Sequence, residues 1–491
     1  MCFNTGDPMG VVGFPFNRWH MDMGRLERFL PRKVTRRHVI GGALAAGAGI
    51  TALRLAGVHG SAPAARKVAA APKAAAATAT STWASPLEKE TARVTHLLRR
   101  TGFGATPDEL DAAFKLGYGK VVDKLIETPP TEPPPVPGMM GNGVDVQKLQ
   151  QWWLDHMLAT PTPFAERMTL FWHGHFTSDY RKVGTDQPYI YWQNLTWRRM
   201  ALTDLGSMLM KVTSDPAMMR YLDLATSTGK SPNENYSREL LELFTMGAGN
   251  FQEGDVRAAA RGLAGWRLPT AADKSQTGVF DKRRAYTGGP LTFLGQTGAL
   301  DTNGVINGIL ASPATATYLV TKIVHHFVSP APEARYVQRL SDEFRASKYD
   351  VKTLMRSVFL SPEFINTDSY RSLIKSPTEY MVSVLKALKA PQLSKLILDA
   401  DETMGQMLFD PPDVGGWPNN DSWISSNTVI ARVNFVNAVL GRLRSLPAAK
   451  DVHQLQLDGV LSPSTEKLLG QANDDRTRWL VALMAPEFNL K

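Results

Sequence analysis

The sequence predicts a mainly α fold, a large single-domain, multi-helix orthogonal bundle with long structured loops and few short strands. Three observations favour this fold. Apolar residues recur at helical spacing in most segments between residues 91 and 440. Strand-like patterns are limited to short stretches near residues 278–280 and 291–294. The sequence shows no internal repeat of about 20 to 50 residues, so a solenoid is not expected.

Length and composition are those of a globular protein. The chain has 491 residues, of which 43% are hydrophobic, enough for a large core. Its net charge of +9 is concentrated near the start, because residues 1–64 hold eight basic and three acidic residues. The remaining 47 basic and 43 acidic residues nearly balance, which gives little support for a nucleic-acid partner. The single cysteine, Cys2, lies in the segment expected to be removed, so disulfides and cysteine metal sites are not expected in the working protein.

The first 64 residues are typical of an export leader. Arg36 and Arg37 precede an apolar, Gly- and Ala-rich run to Leu53, and small residues follow near Ala62. This order resembles a twin-arginine signal, and it places the mature protein outside the cytoplasm, in the periplasm or beyond. A buried Ala-rich helix and a membrane anchor are the alternatives. The fifteen residues from 39 to 53 are too short to span a bilayer core of about 30 Å.

Domain boundaries follow from composition. Residues 1–64 form the predicted signal region, and residues 65–88, rich in Ala, Thr and Pro, a disordered linker. Residues 89–491 form one α-helical domain. The basic segment before the apolar run is long, which leaves Met1, Met21 and Met23 open as start sites.

Helix boundaries are marked by caps and breakers. Gly102 ends the first helix, Pro107 opens the second, and Thr162 with Pro163 opens the fourth. Six prolines make residues 129–138 a rigid connection, and residues 410–421 have the turn chemistry of a structured loop. The predicted helices cover residues 91–101, 107–116, 146–158, 163–171, an aromatic segment within 188–210, and 255–265, 313–328, 351–360, 376–388 and 427–440.

The segment from Ser231 to Gly247 shows the most complete helix pattern. Ser231 is a predicted N-cap, Pro232 suits the first turn, Glu234 completes a capping box, and Gly247 ends the helix. Tyr236, Leu240, Leu243 and Phe244 form a buried stripe, whereas Asn235, Arg238, Glu239 and Glu242 form a polar flank.

Six motifs identify a family. The motifs are HLLRRTGFGATP at residues 96–107, FWHGHF at 171–176, NENYSRELLELFTMG at 233–247, GDVRAAARGLAGW at 254–266, TFLG at 292–295 and FDPPDVGGWP at 409–418. With these motifs the chain resembles the domain of unknown function 1800 family, and the match spans nearly all of the predicted mature chain.

The resemblance implies an exported bacterial protein of uncharacterised activity. It also implies a partner, because members are often encoded beside a secreted protein of the sulfatase or alkaline-phosphatase type. Two positions depart from the family pattern. Residues 286–289 read YTGG where the family usually has His-Asp-x-Gly, and Gly174 stands where Asn is more frequent.

The candidate catalytic residues are His173, His175, Arg238, Glu239 and Glu242. The histidines are candidate metal ligands, or they bond to backbone groups at a helix end that Gly174 marks. The two glutamates, one helical turn apart, could divide acid and base work while Arg238 holds an anion. Alternatively, this flank ties its helix to Arg257, Arg261 or Arg432. The sequence assigns no metal, and any cofactor is unknown.

Two functions remain open. One is a non-catalytic exported partner or scaffold, with no nucleic-acid partner and no transmembrane anchor after removal of the leader. The other is an extracytoplasmic enzyme, hydrolase-like and metal-assisted, acting on an envelope or extracellular substrate. The sequence contains no G-x-S-x-G elbow, Walker loop, dinucleotide-binding glycine motif or H-E-x-x-H helix, which favours the partner.

Overall fold

The described part of the chain consists of helices joined by turns and loops. The computed structural model describes residues 85–136 and 143–491. The predicted leader and most of the predicted linker lie outside these residues. The helices before residue 265 are α1 (Glu90–Thr101), α2 (Pro107–Leu116), α3 (Tyr118–Glu127), α4 (Val146–Ala159), α5 (Pro163–His175), α6 (Tyr180–Val183), α7 (Tyr189–Arg199), α8 (Leu205–Thr213), α9 (Pro216–Tyr221), α10 (Asn235–Glu239), which continues as a π-helix (Leu240–Thr245), and α11 (Glu253–Gly262).

The second half adds twelve helices within the described residues. They are α12 (Thr302–Ala311), α13 (Pro313–Phe327), α14 (Ala334–Ala346), α15 (Val351–Phe359), α16 (Pro377–Ala387), α17 (Lys395–Leu398), α18 (Asp401–Met404), α19 (Ser426–Arg442), α20 (Val452–Leu457), α21 (Pro463–Gln471), α22 (Asp475–Met484) and α23 (Pro486–Asn489). Among the described residues, none of the helices is long and apolar enough to cross a membrane.

Within the described residues, four short strands form two antiparallel hairpins. In the first, β1 (Trp266–Arg267) pairs with β2 (Val279–Phe280), and Trp266 lies opposite Phe280. In the second, β3 (Leu291–Phe293) pairs with β4 (Gln296–Gly298). Both strands predicted from the sequence are present, and the mainly α, single-domain fold class is confirmed.

Helix α5 lies inside the protein. Every residue from Phe164 to His175 except Gly174 is buried, as expected of a helix with packing partners on all sides. It packs against α7, and it also contacts α1 and α3. The helix contains Glu166, Arg167, His173 and His175, so its neighbours must supply polar partners for them.

Glu166 is the first of these buried charges. Its carboxylate accepts hydrogen bonds from Arg198 Nε at 2.8 Å and Nη2 at 2.7 Å, and also from Trp153 Nε1. Burial alone would raise the pKa of Glu166, but the charge and hydrogen bonds of Arg198 hold it at about 2. The pair is therefore ionised and fixes α5 against α7.

The Glu166 pair predicts a large stability effect. Glu166→Gln leaves the Arg198 charge unpaired in the interior, so the free energy of unfolding is expected to fall by about 3 to 5 kcal/mol. The matched control is Glu132→Gln, which breaks the pair between Glu132 and Arg199, where both side chains are nearly half-exposed. That change is expected to cost about 1 kcal/mol or less. Urea unfolding followed by circular dichroism measures both, and equal losses would contradict the assignment.

Candidate functional site

The helix predicted between Ser231 and Gly247 begins later than expected. It starts at Asn235, and no side chain caps it. Ser231 instead closes a turn with Thr228, whose carbonyl accepts the Ser231 amide at 3.0 Å and whose amide donates to the Ser231 carbonyl at 3.1 Å. The prediction that Ser231 caps this helix was therefore wrong, because a local turn holds this residue outside the helix.

The second half of the segment is a π-helix, which the sequence did not predict. The amides of Met246 and Gly247 both donate to the Leu241 carbonyl, at 2.8 and 3.2 Å. Gly247 ends the element as predicted, with φ +79°, and a Cβ there would lie 2.8 Å from the Tyr318 ring. Single π turns are rare and are frequent at functional sites.

The π-helix presents two carbonyls to other elements. Leu243 O accepts from Tyr318 Oη at 2.9 Å and from Lys322 Nζ at 3.3 Å, both on α13. Phe244 O lies 2.9 Å from Nε2 of His175. Three elements distant in sequence therefore meet at this turn.

His175 is held in one tautomer. Because Phe244 O can only accept, Nε2 carries the proton, and Nδ1 accepts from Lys322 Nζ at 3.1 Å. Burial and the charge of Lys322 lower the pKa of His175 well below its usual value. Burial also lowers the pKa of Lys322 to about 8. The imidazole is neutral, and both of its nitrogens are occupied.

His173 has a different role. Its Nε2 accepts the amide of Phe409 at 3.1 Å, and its ring packs against Trp153 and Trp417 at 4.9 and 5.1 Å between centroids. Burial lowers the pKa of His173 to about 3. Phe409 has φ +67°, and its carbonyl accepts the Tyr180 amide at 3.0 Å. His173 therefore helps to hold a strained bulky residue at the start of the 410–421 loop.

The two histidines do not converge on one ligand. Gly174 does not end the helix, which continues through His175, so the expected irregular backbone is absent there. The carbonyl of Gly174 is in direct contact with the loop, because a Cβ at Gly416 would lie only 2.2 Å from it. His173 bonds to the loop, and His175 bonds to the π-helix. This is the backbone-bonding alternative that the sequence left open.

Arg238 forms surface ion pairs. Its guanidinium binds Glu253 at 2.7 and 2.9 Å and Glu234 at 3.4 Å, and about a third of its side chain is exposed. The predicted tie to Arg432 is wrong, since Arg432 donates to Asn489 and the Lys375 carbonyl instead.

Glu239 and Glu242 lie on the partly exposed flank of this helix. Burial raises the pKa of Glu239, and the neighbouring charge of Glu242 raises it further, with Arg238 opposing both. The raised pKa shows that Glu239 is partly desolvated in a negative field.

Glu239 belongs to a wider acidic face. Burial first, and then the charges of Asp179, Asp413 and Glu239, raise the pKa of Tyr221 to about 12, although Lys182 Nζ lies 5.8 Å from the centre of its ring. We call Asp179, Asp413, Glu239 and Glu242 the acidic face. These four residues come from three segments of the chain. Contacts of Thr177 and Gly416 attach the loop that bears Asp413 to the end of α5.

Several residues at this site were missed by sequence reasoning. Tyr318 and Lys322 stand one helical turn apart on α13, a spacing that could have indicated a shared target. No sequence pattern indicated the role of Phe409, because its conformation depends on contacts with His173 and Tyr180. His326 packs on Phe171, and its Nε2 lies 3.3 Å from Nη2 of Arg167.

Among residues 85–136 and 143–491, no group of three or more His, Cys, Asp or Glu side chains is placed to hold a metal ion. A family model described as a protein of unknown function (DUF1800) matches residues 96–490. No curated protein and no solved structure matches the chain.

The buried histidines predict acid sensitivity. His173 has its pKa lowered in the folded state, so it favours folding above about pH 6.5, and this contribution is lost as pH falls toward about 3. The free energy of unfolding is expected to fall by about 1.4 kcal/mol per pH unit for such a group. His173→Gln, which keeps an acceptor but does not titrate, should show a shallower slope by that amount.

Urea unfolding from about pH 7.5 to 4.5 measures these slopes. The matched control is His453→Gln, which removes an imidazole from a partly exposed position on α20, and the slope of His173→Gln is compared with it. A wild-type slope in the His173 variant would show that this imidazole is not held neutral.

Proposed function

The chain belongs to the domain of unknown function 1800 family, and on that premise we propose that it is an exported, non-catalytic protein that serves as the partner of a secreted sulfatase- or alkaline-phosphatase-like protein. The leader with Arg36 and Arg37 supports export, and the resemblance suggests the kind of partner. The proposed site of action is the periplasm or the extracellular space.

One observation supports the non-catalytic function above the others. His173 and His175 are buried, and each bonds to the backbone of a neighbouring element. A general base must reach the proton that it removes, and a metal ligand needs a free lone pair. The Nδ1 lone pair of His175 is taken by Lys322, and Nε2 of His173 by Phe409. These side chains fix the architecture behind the acidic face.

The acidic face is the proposed contact surface. Its carboxylates come from α10 with its π-helix, from the residue before α6, and from the 410–421 loop. His173 holds the residue before this loop, and His175 holds the π-helix. Glu239 is already partly desolvated, so a basic partner surface would relieve its unfavourable field. The complementary partner is therefore a protein with an exposed Lys- or Arg-rich patch.

The second candidate function is that of an enzyme, and the raised pKa of Glu239 supports it. A carboxyl group with a raised pKa, beside the ionisable Glu242 and near the protein surface, suits general acid and base work. In this alternative the protein is a hydrolase acting on an envelope or extracellular substrate. Arg238 would contribute little to substrate binding while Glu253 occupies it.

Binding measurements distinguish the two functions. The purified mature chain should bind a secreted sulfatase- or alkaline-phosphatase-like protein from the same organism, and the affinity should fall with added salt. Replacing both Glu239 and Glu242 by Gln should weaken binding about tenfold, since two favourable charge contacts are lost. The matched control replaces exposed Glu333 and Glu466 by Gln and should bind as wild type does.

Biolayer interferometry gives the dissociation constants. Absence of binding by the wild-type chain would contradict the partner function. If the chain alone hydrolyses aryl sulfates, aryl phosphates or envelope glycans, and Glu239→Gln abolishes that activity, the enzyme replaces it.

A further inference from the structure

A second polar cluster lies away from the acidic face and holds more positive than negative charge. Its basic side chains are at most about one-tenth exposed, and they come from α1, α5, α19 and the segments near residues 371–375 and 491. They are Arg99, Arg100, Arg167, Arg371, Lys375, Arg432 and Lys491. The buried or half-buried carboxylates among them are Glu379, Asp458 and Glu487. Buried charge without a partner is costly, so this imbalance calls for a compensating group.

The carboxylates are already in use. Glu379 accepts from Arg167, from Lys491 Nζ at 2.5 Å and from the Ser376 amide at 2.9 Å. Asp458 accepts from Arg99 and from Tyr370 Oη at 3.0 Å.

Glu487 forms its hydrogen bonds with groups outside the basic cluster, although its charge acts on Arg371. It accepts from the amide of Ser462 at 2.6 Å and from the hydroxyl of Thr465 at 2.9 Å. The three carboxylates therefore leave several buried donors without a partner.

Two of these basic residues, Arg99 and Lys375, line one cavity. Nε and Nη2 of Arg99 are buried and have no hydrogen-bond partner among the described residues. Lys375 is buried, and its Nζ lies 3.9 Å from the centre of the Phe488 ring. Both residues line a cavity of about 30 Å³, together with Asp458, Ser383 and Gln456. Arg99 and Lys375 thus line one space, together with the Asp458 carboxylate that pairs with Nη1 of Arg99.

The geometry points to a small-anion site: we propose that this cavity binds a monatomic anion, chloride under ordinary conditions, between the guanidinium of Arg99 and the ammonium of Lys375. The cavity has a volume of about 30 Å³, which suits a small guest such as a water or a halide. Water would supply an acceptor, whereas a halide would also add negative charge to a cluster in which seven basic side chains face three carboxylates. Ser383 is the neutral hydroxyl on the same wall.

The electrostatics agree with this geometry. Burial first, and then the charge of Arg99, lower the pKa of Lys375 well below its usual value. Arg432 and Lys491 act in the same direction, and only Glu379 opposes them. An anion in the cavity would restore the charged form of Lys375. Arg99 cannot lose its proton. If Lys375 released its proton instead, Nε and Nη2 of Arg99 would still have no acceptor.

Thermal unfolding at constant ionic strength tests the site. As sodium chloride replaces sodium gluconate, the wild-type Tm should rise and then saturate, because a ligand that binds only the folded state stabilises it. Lys375→Met keeps the apolar stem against Phe488 and should abolish this chloride dependence. The matched control is Lys352→Met, which removes an exposed lysine paired with Glu127 and should leave the dependence intact.

A chloride dependence that is absent in the wild type, or equal in Lys375→Met and the wild type, would overturn the proposal. Bromide anomalous diffraction provides a second readout that needs no variant. Crystals of the wild-type protein grown in sodium bromide should show an anomalous peak within hydrogen-bond distance of Arg99 Nη2 and Lys375 Nζ. A cavity holding only water, or nothing, would refute the site even if Lys375→Met failed to fold.

Discussion

A helix that is buried on all sides yet bears charged and imidazole side chains constrains the rest of this structure. Each polar group on α5 must find a partner, and each partner comes from a different part of the chain. Arg198 on α7 pairs with Glu166, and Glu379 on α16 pairs with Arg167. The start of the 410–421 loop bonds to His173, and the π-helix bonds to His175. These four contacts attach the helices, the loop and the π-helix to one central element.

These contacts show which candidate residues are structural and which lie at the surface. The residues that looked most catalytic by type, His173 and His175, are neutral and bonded on the inside. Glu239 and Glu242, on the element that His175 supports, stay partly exposed in a negative field. Rigid buried polar contacts behind an unsatisfied charged surface suit a protein that presents a fixed face to a partner. The excess of buried cations near Arg99 is a separate feature, and it joins α1 and α5 to the C-terminal segments of the fold.

Sequence reasoning succeeded where the information is local. Thr106 and Glu109 form a capping box, and Gly102 follows the last turn of α1, so both boundaries could be found from neighbours in sequence. It failed where distant residues decide the backbone. The π-helix depends on α13, some 75 residues later, and Phe409 adopts its left-handed conformation 236 residues from His173. The candidate residues were therefore identified by type, whereas their partners depend on tertiary packing.

Nitrogen-15 NMR of the imidazole rings tests the central claim most directly, because it reports protonation and tautomer for each histidine. The structure predicts that His175 carries its proton on Nε2 and that Nε2 of His173 is unprotonated, with neither ring titrating between about pH 5 and 8. Added zinc should leave both sets of shifts unchanged. Titration of either ring in that range, or a zinc-dependent shift of both, would contradict the structural role of α5 and return these histidines to the list of catalytic candidates.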